Sequence, residues 1–167
     1  MGMYNRRMMK RLLIGVAAVV FAAGCARSRD VQKDLKIVDV HTGWYDMGIV
    51  EGRNKLVPSI SLKLENVSSD DINNVQMNAV FHQGEEQQAW GDQFVMAIDR
   101  NGLKSGATGT PIVLRSMRGY TGDESRADML KNSQFIDARV QIFGKHGSNT
   151  WAKMGEFPID RKLLTNQ

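Results

Sequence analysis

The chain has 167 residues, one cysteine and a formal charge of +4. Four of its 22 basic residues, Arg6, Arg7, Lys10 and Arg11, precede Cys25, whereas all 18 acidic residues follow it, so from Cys25 onward the chain is formally neutral. That balance argues against a phosphate-binding footprint and a nucleic-acid partner, and a lone cysteine leaves no haem-attachment pair or thioredoxin-like pair.

The first 24 residues divide into a positive segment, "MGMYNRRMMKR", and an apolar stretch over residues 12–23, "LLIGVAAVVFAA". Twelve residues are too few for an ordinary transmembrane span of about 20. Small residues Ala22, Ala23 and Gly24 then lead into Cys25. This order resembles the lipobox of bacterial lipoproteins, with Ala22 standing where leucine is commonest. The resemblance implies that residues 1–24 are a signal peptide removed by a dedicated peptidase. It also implies a diacylglyceryl group on the Cys25 thiol and an N-acyl chain on its amine; no cofactor is expected beyond this lipid. Single acyl chains bind membranes marginally, so two or three make a firm anchor. Ala26 occupies the place where aspartate retains such proteins in the inner membrane. The expected location is therefore the outer membrane, facing the periplasm, in a Gram-negative host.

Residues 25–34 are expected to form the lipidated cysteine and a tether: "ARSRDVQKD" is polar, without apolar periodicity, and nine extended residues reach about 30 Å. Removing 24 residues of 167 leaves 143, a single domain able to bury about two thirds of its unfolded surface.

Residues 35–167 are read as that domain, in short strands. "KIVDVHTGWYD" opens with β-branched residues and closes on glycine and aromatic residues. In "SISLKLENVSSDD", Ile60, Leu62 and Leu64 alternate with Ser61, Lys63 and Glu65, the period of a half-buried strand. "NNVQMNAVFHQ" repeats it, with Val75, Met77, Ala79 and Phe81 on one face and Gln76, Asn78 and His82 on the other. "AWGDQFVMAIDRNGLKSGATGTPIVLRSM" reads as two strands around a glycine-rich loop. "DESRADMLKN" is the one helical stretch. In "QFIDARVQIFGKHGSNTWAKMGEF", Ile136, Ala138, Val140 and Ile142 alternate before a turn and a final strand. About seven strands at this spacing predict an all-β fold: one immunoglobulin-like β-sandwich with one short helix.

"LVPSISLKLENVSSDDINNVQMNAVF" and "NGLKSGATGTPIVL" resemble the immunoglobulin-like sandwich domains of bacterial envelope lipoproteins, FxLYD-type domains included, over residues 35–160. The FxLYD string itself does not occur, and the resemblance implies a fold and an envelope role without assigning an active site.

Candidate chemistry is sparse. His41, His82 and His146 lie far apart in sequence, with no second histidine or cysteine at metal-ligand spacing, so no metal is expected. "NGLKSGATGT" lacks the Gly-Lys-Ser/Thr ending of a phosphate-binding loop. Asp123 and Glu124 are adjacent in "GDES" rather than opposed across a cleft, and read as solvated charges before a helix. No Gly-x-Ser-x-Gly elbow occurs.

Aromatic residues give the better interaction signal. Trp90 and Trp151 adjoin apolar strands and are assigned to the core; Trp44, Tyr45 and Tyr120 lie in loop-like contexts and form the candidate partner surface. The segment from Met117 to Ser133 is the longest interruption between strands, where rigid sandwiches often carry function. The expectation is a non-enzymatic, lipid-anchored envelope module that binds a protein partner. A small-molecule or glycan binder is the alternative; a periplasmic hydrolase using one of the histidines ranks behind it.

Overall fold

The computed structural model describes residues 29–164; the expected signal peptide and Cys25 lie outside the described residues. In chain order the elements are α1 (Val31–Asp34), β1 (Leu35–Val50), β2 (Arg53–Asn66), β3 (Val75–Gln83), β4 (Gly91–Ile98), β5 (Ile112–Arg115), β6 (Tyr120–Gly122), α2 (Arg126–Lys131), β7 (Ala138–His146), β8 (Ala152–Pro158) and β9 (Leu163–Leu164). The fold is the expected all-β sandwich. Nine strands and two helices occur among the described residues, against about seven and one expected. The surplus strands β6 and β9 have three and two residues, too few to show alternation.

One sheet has the order β5-β2-β1-β9, with β6 also paired to β2; the other has the order β4-β3-β7-β8. All pairings are antiparallel except β1 with β9. The β1 hairpin turns on Glu51 and Gly52, both at positive φ (51° and 81°), the conformation of a type I′ turn whose twist matches the flanking strands.

The inward faces meet in one core. Ile60, Leu62 and Leu64 of β2 pack with Val75, Met77, Ala79 and Phe81 of β3 and with Val140 and Ile142 of β7. The alternation read in β2 and β3 is thus the core pattern. Ile136, expected to begin the β7 alternation, is exposed and precedes the strand, which starts at Ala138.

Strand polarity divides the sandwich into two ends. At the α1 end lie the start of β1, the end of β2, and the loops over residues 67–74, 99–111 and 147–151. The α2 end holds the β1 turn, residues 84–90, and the chain from Ser116 to Asp137.

The segment expected to be tether packs from Arg29 onward. Asp30 caps α1 by accepting from the Gln32 amide at 3.1 Å, and Val31 is buried beneath it. Gln32 Nε2 donates to the Lys153 carbonyl at 2.8 Å, Asn149 Nδ2 to the Arg29 carbonyl at 3.0 Å, and the Arg29 guanidinium lies 3.1 Å from Asp70. Val31 is the one large apolar side chain in a polar run, and a single residue shows no periodicity. Only residues 26–28 stand between Cys25 and this packed segment.

Candidate functional site

Four aromatic rings gather at the α2 end. Tyr120 on β6 lies 5.6 Å from Trp44, 5.1 Å from Trp90 and 4.5 Å from Phe135, and Trp44 meets Phe135 edge-on at 4.6 Å. Tyr120 reaches this cluster because β6 pairs against β2, opposing Tyr120 to Leu56. Gly119 allows the approach: a Cβ there would sit on the Leu56 carbonyl oxygen, which β2 holds fixed. The Tyr120 hydroxyl donates to the Ile136 carbonyl at 3.1 Å and accepts from Gln83 Nε2, tying β6 to the other sheet.

The three candidate partner residues therefore separate. Trp44, expected at the surface, is 0% exposed and belongs to the core. Its neighbour Tyr45 points to the opposite face of the sheet, as successive strand residues must. There it is half-buried beneath the Arg115 guanidinium, 3.6 Å from the ring centroid. Tyr120 is also half-buried, and it borders a cavity. Trp90 packs against the core as expected, whereas Trp151 is 41% exposed.

That cavity is an open cleft of about 520 Å³ between β6 and α2. Tyr120, Met129 and Phe135 supply apolar wall, and Asp123, Glu124, Asn132 and Gln134 supply polar groups. The α2 wall is fixed at its start by Ser125, whose Oγ accepts from the Asp128 amide at 3.3 Å. Arg126 pairs with Asp46 of β1, and Asn54 of β2 donates to the Glu124 carbonyl at 2.7 Å. Burial raises the Asp46 carboxyl, but hydrogen bonds from Arg126 and the Gly48 amide, with the guanidinium charge, more than offset this and hold it below the usual aspartate value. Glu124 accepts weakly from Asn132 Nδ2 at 3.3 Å. Asp123 and Glu124 are exposed, and no ion pair involves either among the described residues. The cleft rim is thus acidic over an aromatic floor.

No family model, curated protein or solved structure matches the chain.

The histidines do not converge. His41 stands exposed on β1. His82 and His146 share the β3/β7 ladder but sit at its opposite ends, since His82 opposes Arg139 and His146 opposes Val75, about 23 Å apart at the usual strand rise. His82 is buried, with Nδ1 3.2 Å from the Gln88 carbonyl; because a carbonyl only accepts, Nδ1 carries the proton, and Nε2 is buried without a partner. Among the described residues no group of three or more His, Cys, Asp or Glu is placed to hold a metal ion. The glycine-rich run over residues 101–110 connects β4 to β5 and is fastened to the end of β2: Asn66 N donates to the Ala107 carbonyl at 2.9 Å, and Gly109 N to the Leu64 carbonyl at 2.8 Å.

The sequence reading missed the cleft as a unit. Met129, Asn132 and Phe135 come from α2 and the chain beyond it, and their meeting with β6 depends on a three-residue strand. The one local signal was the length of the interruption from Met117 to Ser133, which contains both β6 and α2.

Proposed function

We propose that this chain is a bacterial envelope lipoprotein, anchored by a diacylglyceryl group and N-acyl chain on Cys25, whose β-sandwich acts as a non-enzymatic interaction module. The partner is a protein segment bearing a basic side chain beside an apolar one, seated in the cleft of Tyr120, Phe135, Asp123 and Glu124. The observation that carries this reading is the placement of the cleft. It lies at the end of the sandwich opposite Arg29, level with the Asp46 and Leu56 pair, eleven residues along β1 from Leu35. At the strand rise that is about 35 Å, so an anchor at Cys25 leaves the cleft facing away from the bilayer. Charge complementarity selects the occupant, since the rim carboxylates lack cations of their own among the described residues. Exposed apolar side chains at the same end, Met117 (74%) and Ile49 (71%), extend the contact area.

A photo-crosslinking residue at Thr121, incorporated in cells of a native or related host, tests this. A discrete protein adduct is expected, lost when Asp123→Lys and Glu124→Lys reverse the rim charge and absent when the crosslinker is moved to Lys36 at the α1 end. An adduct indifferent to charge reversal, or none at all, contradicts the reading.

A second reading, binding of a small molecule or glycan, draws support from the cleft volume of about 520 Å³, within the range of ligand pockets, and from the Asn132 and Gln134 amides beside aromatic wall. Protection of the cleft by a released small molecule, without a protein adduct, would favour it.

A further inference from the structure

The outer face of the β4-β3-β7-β8 sheet carries an apolar group that the cleft does not use. Strand parity sends Phe94 and Met96 outward, where Phe94 and Phe143 flank Asn78, and Met96 and Lys145 flank Gln76. Trp151, in the loop before β8, folds over this surface and meets Phe94 edge-on at 6.1 Å. Lys145 Nζ stands 4.9 Å from the Trp151 ring centroid. Phe94 is 53% exposed and Met96 51%, so the group projects into solvent rather than completing the core.

Its position relative to the chain entry selects the occupant. Asn149, two residues before Trp151, holds the Arg29 carbonyl through its side chain at 3.0 Å. Cys25 precedes Arg29 by four residues, a span of at most about 14 Å when fully extended. We propose that the Trp151, Phe94 and Met96 group docks on the bilayer that holds Cys25, with the indole at headgroup depth and Lys145 beside anionic phosphate. The proposal rests on the Cys25 anchor proposed above. An indole with one polar edge suits the membrane interface, and a neighbouring ammonium adds attraction to anionic lipid. So short a link makes the contact effectively intramolecular, which lets a few side chains suffice. The result is a fixed lean of the sandwich, which sets the direction in which the α2 end points.

The test uses the full processed lipoprotein, purified from membranes and reconstituted into phosphatidylethanolamine and phosphatidylglycerol vesicles with a spin label at a shallow or a deep acyl position. Intact mass first establishes acylation of Cys25. Trp44 is buried in the core and Trp90 belongs to the opposite end, so neither should sense the label. The expected result is a loss of tryptophan emission with the shallow label, smaller with the deep one, abolished by Trp151→Phe and reduced by Phe94→Asp with Met96→Asp. Acylated protein whose Trp151 is untouched by lipid labels yet quenched by aqueous acrylamide overturns the docking while leaving the anchor intact. Shielding of Trp151 from both quenchers assigns the face to a second copy or another protein, and also overturns it. An unmodified Cys25 removes the anchor reading and this proposal together.

Discussion

Tyr120 joins the fold to the cleft, and two substitutions separate its contributions. Tyr120→Phe removes only the hydroxyl that donates to the Ile136 carbonyl and accepts from Gln83. Each hydrogen bond contributes about 0.5–1.5 kcal/mol net, and both former partners lie near enough to solvent to hydrate, so the loss should be about 1–2 kcal/mol. Tyr120→Ala also deletes a ring in contact with Trp44, Trp90 and Phe135. Lost burial and ring contacts should bring the total to about 3–4 kcal/mol. Urea denaturation followed by far-ultraviolet circular dichroism gives both values. Thermal midpoints should fall by about 4 °C for each kcal/mol in a domain of this size. Equal losses for the two variants would mean that the ring is not packed as described; a wild-type midpoint for Tyr120→Phe would mean that its hydroxyl ties nothing.

Other outcomes follow from the same geometry. Gly119→Ala places a methyl against the Leu56 carbonyl, so β6 must part from β2; we expect a loss of about 3 kcal/mol or more in the same denaturation, and an unchanged midpoint would contradict the close approach. Glu51→Asn suits the positive φ at the β1 turn and should stabilise by about 0.5–1 kcal/mol, whereas destabilisation would contradict a type I′ turn. Acid should weaken the fold in a defined window. Hydrogen bonds from Lys153 and Gln141 hold Glu156 below its ordinary 4.5, and Asp46 is held below 3.8. The stability these groups supply is fully present above those values and is lost as pH falls through the lower folded ones. The urea midpoint should therefore be level down to about pH 4.5 and fall below it, with Asp46→Asn making the fall shallower; an unchanged profile in that variant would remove Asp46 from the account.

What the sequence made legible was regular alternation. Ile60, Leu62 and Leu64, and then Val75, Met77, Ala79 and Phe81, obey period two because alternate side chains of a strand face the shared core; in β2 the other face is covered too from Leu56 to Leu62, where Ser59 and Ser61 are buried. α2 was legible too, within "DESRADMLKN", although the helix covers only Arg126–Lys131 of that stretch, where it buries Met129 and Leu130. Trp44 was misread because Gly43 beside it suggested a loop. In the fold, β1 runs on to Val50, and Gly43 admits the Leu164 side chain, letting β9 lie alongside. Such a contact between residues more than a hundred positions apart leaves no local trace. Trp151 was misread through parity: Ala152 and Met154 pack against the core, so Trp151 and Lys153 face outward. The cleft was illegible for a related reason, as its walls are brought together by long-range contacts, among them the pairing of Asn54, Lys55 and Leu56 with β6 and the Arg126–Asp46 ion pair.

The proposed anchor at Cys25 underlies both the proposed orientation of the cleft and the proposed docking of Trp151, and intact mass with membrane fractionation of wild type and Cys25→Ala tests it most directly. In a native or related host, wild type should lack residues 1–24, carry diacylglyceryl and N-acyl mass on Cys25, and sediment with the outer membrane, while the variant retains its first 24 residues or is released from the envelope. An unmodified Cys25 and an uncut chain in both proteins would contradict the account.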